Sequence, residues 1–168
     1  MKKLFGIIVV LLIFVNFSYS QDANSFLESG KNKFKNRDYK GAVEDFTKAI
    51  ELDPNDMNFY LQRGYAYGLI DNYESAITDY TTIIKKEPKH TFAYISRGAA
   101  YNKLKKYEKA LNDLSKAIEL DPSNTEAYNN RGWAKKFMGD KKGACKDWKE
   151  SKKKGNDEAK IIMKNNGC

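Results

Sequence analysis

The sequence predicts an all-α fold made of repeated pairs of antiparallel helices. Pro54, Pro88 and Pro122 lie 34 residues apart, and glycine, alanine and aspartate recur with the same period. Within each period, apolar residues are spaced three to four residues apart, as on one face of an α-helix. When several residue types recur at the same 34-residue spacing, a single structural unit is repeated along the chain. We call each set of equivalent positions a column. The columns are Gly30, Gly64, Gly98 and Gly132; Ala42, Ala76, Ala110 and Ala144; and Asp45, Asp79, Asp113 and Asp147.

Each period has the pattern of two helices, most clearly in residues 91–124. Tyr94, Gly98 and Tyr101 mark one face of a first helix. One face of a second helix carries Tyr107, Ala110, Leu111, Leu114, Ala117 and Ile118. Pro122 ends that helix, because the residue before a proline is pushed out of the α region. The small residues of these faces allow two backbones to approach closely, and the large ones fill the space around them.

This pattern closely resembles the tetratricopeptide-repeat family, whose unit of 34 residues is a helix–turn–helix. The resemblance assigns four repeats within residues 21–158, namely 23–56, 57–90, 91–124 and 125–158. It implies a solenoid, a right-handed superhelix of antiparallel helix pairs. The fourth repeat lacks the proline, and terminal repeats are expected to be atypical. Gly155 is expected to end its second helix, and residues 156–168 then form a capping helix and tail with Ala159, Ile162 and Met163 as its apolar stripe.

The first twenty residues have the features of a secretory signal peptide. Two lysines precede an apolar run from Leu4 to Phe17, and small residues follow at 18 and 20. The apolar run is shorter than the roughly 20 residues that a membrane-spanning helix needs, and an uncleaved anchor is the alternative. We therefore expect an exported protein, periplasmic or secreted, that is cleaved near Ser20.

The periodic arginine and aspartate residues predict a structural ladder of ion pairs between helices. Its members are Arg63, Arg97, Arg131, Asp45, Asp79 and Asp113. Arginine suits such sites because its planar fork meets a carboxylate at two points. One register joins neighbouring repeats and pairs Asp45–Arg63, Asp79–Arg97 and Asp113–Arg131. The other pairs each arginine with the aspartate of its own repeat, beginning with Arg63–Asp79. A ligand-binding role for the arginines is the alternative to a structural one.

The resemblance also implies a binding groove. In this family the first helices of the repeats line a concave surface that holds a protein or peptide. The candidates at the matching positions are Leu61, Tyr65, Phe92, Ile95, Asn129, Trp133 and Lys136. Tyr65, Phe92 and Trp133 are the strongest of these, because an exposed apolar patch usually marks an interaction site and aromatic residues often carry binding energy. The alternative is that Phe92 and Trp133 pack against neighbouring repeats.

The clamp that chaperone-binding members of the family use to hold a terminal carboxylate is absent. Its positions hold Leu27, Lys31, Gln62, Phe92 and Ser96 here. Only Lys31 is charged, and it stands where those members have asparagine. The sequence therefore excludes that specificity.

The end of the chain suggests two further features. Cys145 lies ten residues before Gly155 and Cys168 thirteen after it, so an antiparallel capping helix would bring them together as a disulfide, with two free thiols as the alternative. Residues 125–168 carry 12 basic and 6 acidic residues. This basic end is a candidate for weak contact with an anionic surface such as lipid head groups or cell-wall polymer, with a solvated face as the alternative.

The residues for catalysis or metal binding are lacking. His90 is the only histidine, is expected to be exposed in a connection, and together with two cysteines does not supply a zinc site or a nucleophile–histidine pair. The sequence predicts a scaffold or adaptor that is not an enzyme, needs no cofactor and binds a protein or peptide but no nucleic acid. The alternative is a structural protein held on an anionic envelope surface by its basic end. The identity of the partner and the oligomeric state do not follow from the sequence.

Overall fold

The computed structural model describes residues 22–168, and this part of the chain contains nine α-helices and no strand. The first helix, α1, covers residues 22–35. The others are α2 (Tyr39–Leu52), α3 (Met57–Leu69), α4 (Tyr73–Lys86), α5 (Thr91–Lys103), α6 (Tyr107–Leu120), α7 (Thr125–Phe137), α8 (Lys141–Lys153) and α9 (Glu158–Asn165). The all-α prediction is confirmed. The predicted signal peptide, residues 1–20, lies outside the described residues, and within residues 22–168 no helix is both long and apolar enough to cross a bilayer.

We call α1, α3, α5 and α7 the first helices, and α2, α4, α6 and α8 the second helices. The first three second helices end where the sequence predicts, at the residue before a proline. Asp53, Glu87 and Asp121 leave the helical region with φ values of −138°, −127° and −137°. A proline disfavours helical geometry in the residue before it, so the periodic prolines set the length of these helices.

The turn from each first helix to its second helix places one residue in the left-handed region. Arg37, Asp71 and Lys105 have φ values of 65°, 59° and 58°, and Gly139 has 88°. Only the fourth repeat uses glycine, which adopts this conformation without steric cost. Arginine and lysine rarely take a positive φ, and aspartate does so only somewhat more often, so the sequence pattern does not reveal these three turns.

The described chain divides into two compact units, residues 22–71 and residues 72–168. In the first unit, Phe46 of α2 and Phe59 of α3 are buried in one core with Ala23 and Leu27 of α1. In the second unit, each helix from α4 to α9 packs on the next, and α5 also packs on α7. Its core includes residues of α5, α6 and α7, among them Ile95, Leu114 and Ala134.

The periodic glycines of the first helices lie against large side chains of the second helices. A Cβ atom built on Gly98 of α5 would lie 2.7 Å from Leu114 Cγ of α6, and one on Gly30 of α1 would lie 2.6 Å from the ring of Phe46. Distances this short are not compatible with a side chain at either position. The glycines therefore make room for a large side chain of the second helix, and the close approach of the two backbones stays a prediction.

The last helix, α9, covers the end of the fourth repeat. Gly155 has a φ of 105° and follows α8. Ala159 is fully buried, and Ile162 and Met163 are half-buried, in agreement with the predicted apolar stripe. A disulfide joins Cys145 of α8 to Cys168, with 5.5 Å between the two Cα atoms.

Candidate functional site

Two of the periodic arginines hold buried carboxylates inside their own repeat. Arg97 Nε and Nη2 donate to Asp113 Oδ2 and Oδ1 at 2.7 and 2.8 Å. Arg131 donates to Asp147 in the same way, at 2.9 and 2.7 Å. The hydrogen bond with Asp113 raises the pKa of Arg97. The register that would pair Asp113 with Arg131 is therefore wrong, and the within-repeat register describes these two pairs.

The same arginines also contact a hydroxyl of the preceding second helix. Arg97 Nη1 donates to Thr81 Oγ1 at 3.0 Å, and Arg131 Nη1 donates to Ser115 Oγ at 3.2 Å. In the first unit, Arg63 Nη1 donates to Thr47 Oγ1 at 3.1 Å. Each guanidinium therefore occupies an equivalent place between helices. Because both ends of the fork are used in Arg97 and Arg131, the geometry assigns these two arginines to packing rather than to a ligand.

In the first repeat, the buried aspartate is held by residues other than arginine. Asp45 of α2 is buried, accepts a hydrogen bond from Ser29 Oγ at 2.6 Å, and lies 2.8 Å from Lys33 Nζ. Burial acts to raise the pKa of Asp45, but the hydrogen bonds from Lys33 and Ser29 outweigh it and hold the pKa below its usual value. Lys33 and Ser29 stand where the second and third repeats have tyrosine and arginine. Asp79, the remaining member of the predicted ladder, is buried in α4.

In the first unit, the predicted groove residues lie on α3. Tyr65 is 56% exposed, and its ring centroid lies 5.8 Å from that of Phe34 in α1. Leu61 is half-buried. Leu69, one turn beyond Tyr65, is also exposed. Tyr65 and Leu69 thus present apolar surface that the described core does not cover.

In the second unit, the structure separates two predicted groove residues of α5. Phe92 is 61% exposed, so its ring is available to a partner. Ile95 is 1% exposed and belongs to the core with Leu114 and Ala127. The assignment of Ile95 to the groove is therefore wrong, because its side chain is enclosed between α5, α6 and α7 and does not reach the surface.

Trp133 of α7 is the centre of an aromatic cluster. Its ring lies edge-on to Trp148 at 5.2 Å and stacks on Phe137 at 6.0 Å between centroids. Phe137 in turn stacks on Tyr107 at 5.2 Å. Lys136 Nζ lies 4.8 Å from the centre of the Trp133 ring, a cation–π distance. Trp133 is half-buried, so it both packs against its own repeat and contributes to the surface.

Two asparagine side chains lie near the contact between α5 and α7. Asn102 of α5 donates through Nδ2 to the carbonyl of Asn130 at 2.8 Å. Asn129, a predicted groove residue, is half-buried, and its carbonyl accepts a hydrogen bond from Trp148 Nε1 at 3.3 Å. Within the described chain, the Oδ1 atoms of Asn102 and Asn129 are enclosed and have no hydrogen-bond donor. Asn129 thus contacts the aromatic cluster through its backbone carbonyl, and Asn102 links α5 to α7.

Exposed large apolar side chains are concentrated on the first helices. Of the six in the described residues, Tyr65 and Leu69 lie on α3, Phe92 on α5, Phe137 on α7, Met138 directly after α7, and Ile161 on α9. None lies on a second helix. Phe137 and Met138 were not among the selected groove residues, although Phe137 stands at a family contact position. The sequence signal for Phe137 is its position four residues after Trp133, on the same face of the helix.

His90 is half-buried and has a structural role, contrary to the expectation that it is exposed. Its Nδ1 atom accepts a hydrogen bond from the backbone N–H of Ala93 at 3.1 Å and so caps the start of α5. Across residues 22–168, no group of three or more His, Cys, Asp or Glu side chains is arranged to hold a metal ion.

Comparison with known proteins agrees with this architecture. Family models of the tetratricopeptide repeat match residues 30–71, 59–90, 92–124 and 114–146. A solved structure described as the first TPR of Spaghetti (RPAP3) bound to the HSP90 peptide SRMEEVD is 31% identical, with a TM-score of 0.69; the match covers 71% of this chain and 95% of that chain. The chain belongs to the tetratricopeptide-repeat family.

Other tetratricopeptide-repeat structures match at lower identity. A crystal structure of MamA is 26% identical over 83% of this chain and 81% of that chain, with a TM-score of 0.75. The TPR domain of Arabidopsis OM64 is 26% identical over 70% of this chain and 98% of that chain, with a TM-score of 0.67. None of the curated proteins that were compared matches the chain. The predicted tetratricopeptide-repeat fold is confirmed.

The described residues also bear on the carboxylate clamp. Leu27, at one of its positions, is buried in the core of the first unit. Lys31 lies 2.7 Å from Glu28 in an ion pair on the surface of α1. Of the clamp positions in this tetratricopeptide-repeat protein, Leu27 is thus enclosed and Lys31 is already paired.

Proposed function

We propose that this protein is a non-catalytic scaffold that binds a protein or peptide segment through the exposed face of its first helices. One observation carries the proposal: five of the six exposed large apolar side chains of the described chain lie on or directly after first helices. Large apolar side chains left exposed on a soluble protein can mark an interaction site where they form a patch. The relative bound to the peptide SRMEEVD supports peptide binding as the type of function.

The second unit suggests what such a segment carries. Phe92 and Phe137 offer exposed rings on α5 and α7, two helices that pack side by side. Lys136 lies over Trp133, and Lys103 is exposed at the end of α5. Separate apolar side chains of the segment would contact the two rings, which lie toward opposite ends of α5 and α7, and a neighbouring carboxylate would pair with a lysine. A segment that combines the two, without a requirement for a free carboxyl terminus, fits this surface.

Selection from a displayed library of random peptides tests the proposal. The selected peptides should carry an apolar residue beside an acidic one, and their binding should weaken about tenfold or more in Phe92→Ala, as expected for an aromatic residue central to an interface. Ile161→Ala is the matched control, because Ile161 is equally exposed but lies on α9. Equal binding by both variants, with unchanged circular dichroism, would refute the role of the first helices.

We also propose that the scaffold works outside the cytoplasm, after removal of residues 1–20. The charged start and apolar run of these residues support export, and a disulfide between Cys145 and Cys168 suits an oxidising compartment. Sequencing of the mature amino terminus should find Gln21 as its first residue. Recovery of the full chain from the cytoplasm, with both thiols free, would contradict export.

A further inference from the structure

A second surface of the protein carries a row of lysines. Lys142, Lys146, Lys149 and Lys153 of α8 follow one another at intervals of four, three and four residues, so they share one face of the helix. All four side chains are exposed. With a rise of about 1.5 Å per residue, the row is about 16 Å long. We call these four residues the lysine row.

The other repeats show that the lysine row is not a property of the fold. The equivalent positions hold Lys40, Glu44, Thr47 and Glu51 in α2; Glu74, Thr78, Thr81 and Lys85 in α4; and Glu108, Asn112, Ser115 and Glu119 in α6. Their net charges are −1, 0 and −2, against +4 for α8. In the other repeats one of these positions is partly covered, since Thr47, Thr81 and Ser115 accept hydrogen bonds from Arg63, Arg97 and Arg131. Among the four second helices, only α8 carries a basic residue at all four positions.

Carboxylates of the chain do not neutralise the row. Asp147 of α8 is buried, with Arg131 and Lys135 within 2.7 and 2.8 Å of its oxygens. Glu150 is half-buried on α8 beside the row. Across residues 22–168, none of the four lysines has a carboxylate oxygen within 4.0 Å. The row therefore has no close ion pair, although Glu150, four residues from Lys146 and three from Lys153, reduces its net charge.

The residues of α8 also indicate the type of partner. Binding within a lipid interface needs apolar side chains that insert, but the large apolar residue of α8, Trp148, is fully buried. Single-stranded nucleic acid is held by exposed aromatic rings that stack on bases, and α8 offers none. A line of lysine point charges suits successive phosphate groups without requiring a fixed geometry.

We propose that α8 binds a linear polymer of phosphodiester-linked polyols, laid along the lysine row. Each lysine would neutralise one phosphate of the chain and release its counterions. This surface lies on a second helix and does not use the residues of the proposed peptide site, so the two activities are separable.

Binding of fluorescent poly(glycerol phosphate), followed by anisotropy, tests the proposal. The protein should bind the polymer with a log–log salt slope of about −3, as expected for four neutralised phosphates. Replacing all four lysines of the row by glutamine, which preserves helix propensity, should weaken binding about tenfold or more and flatten the slope. The matched control removes four exposed lysines elsewhere, through Lys40→Gln, Lys85→Gln, Lys86→Gln and Lys109→Gln, and should bind within about twofold.

Three results would overturn the proposal. Equal loss in both quadruple variants would mean that net charge alone attracts the polymer. Tighter binding to vesicles rich in anionic phospholipid than to the polymer would identify a lipid surface as the partner. Tighter binding to single-stranded DNA would identify a nucleic acid. Phe92→Ala should leave polymer binding unchanged, so a failure of the peptide site is distinguishable from a failure of the lysine row.

Discussion

Arg97 and Asp113 form a two-point hydrogen-bonded ion pair between α5 and α6, with side chains only 16% and 9% exposed. The remaining nitrogen of the guanidinium donates to Thr81 of α4. One side chain therefore joins three consecutive helices of the second unit. Arg131 repeats the arrangement one period later with Asp147 and Ser115, so the interior polar residues specify how successive helices align.

Replacing this arginine should destabilise the fold strongly. Arg97→Met leaves Asp113 buried without its cation, and removing one partner of a buried pair costs about 3–5 kcal/mol. The double variant Arg97→Met, Asp113→Leu should recover most of that loss, since no charge is then left buried. Urea denaturation measures the free energies of unfolding. A double variant no more stable than Arg97→Met would show that the ion pair itself, and not the isolated carboxylate, decides the cost.

Two helical glycines should respond to alanine with opposite signs. Gly98→Ala places a methyl group 2.7 Å from Leu114 Cγ, and overpacking of a core typically costs about 1–3 kcal/mol. Gly68 of α3 has no atom within 4 Å of the same position, so Gly68→Ala should raise stability by about 0.5–1 kcal/mol. Thermal denaturation of both variants compares them directly. Equal effects would mean that backbone entropy alone, without packing, controls both sites.

The pairing of Asp45 with Lys33 should make stability depend on pH. The pKa of Asp45 is held below its unfolded value of 3.8, so its contribution is fully present above pH 3.8 and is lost as the pH falls through the folded pKa. The pKa of Lys33 is raised above 10.5 by the hydrogen bond with Asp45. The contribution of Lys33 is therefore lost only as the pH rises through that raised value.

Asp45→Asn tests this dependence. The difference in unfolding free energy between the wild type and Asp45→Asn should be constant between pH 5 and 9, approximately, and should shrink on the acid side. Glu51→Gln, at an exposed position of the same helix, is the control. A difference that stays constant down to acid denaturation would contradict the assigned pairing.

Much of the fold could be predicted because the recurring residues mark equivalent positions in every repeat. Columns of small and large residues predict which positions meet, and Gly98 does meet Leu114. Proline positions predict where second helices end. The register of the ion pairs could not be predicted, because separations of 16 and 18 residues both suit two antiparallel helices. The left-handed turn at Lys105 was also missed, since its residue type gives no sign of a positive φ.

The candidate site was predicted less completely, for a physical reason. The position of a residue on a helix face predicts the direction of its side chain. Whether that side chain is exposed to solvent depends on the other helices that pack against the same face. Phe92 and Ile95 are both apolar residues at family contact positions, yet one is exposed and the other is enclosed between three helices. The exposed ring of Phe137 stacks on Trp133 of its own helix and on Tyr107 of α6. The first contact follows from the helical spacing of the sequence, but the second joins separate helices and could not be read from the sequence.

Opening the Cys145–Cys168 disulfide should release α9 from the second unit. The bond closes a loop of 23 residues, for which loop-closure entropy gives about 3 kcal/mol. Without it, α9 is held mainly by the burial of Ala159 and the partial burial of Ile162 and Met163. We expect Cys168→Ser to speed amide hydrogen exchange in α9 while α5 and α6 remain protected, and a reducing agent to have the same effect on the wild type only. Unchanged exchange in α9 would mean that apolar packing alone holds the helix.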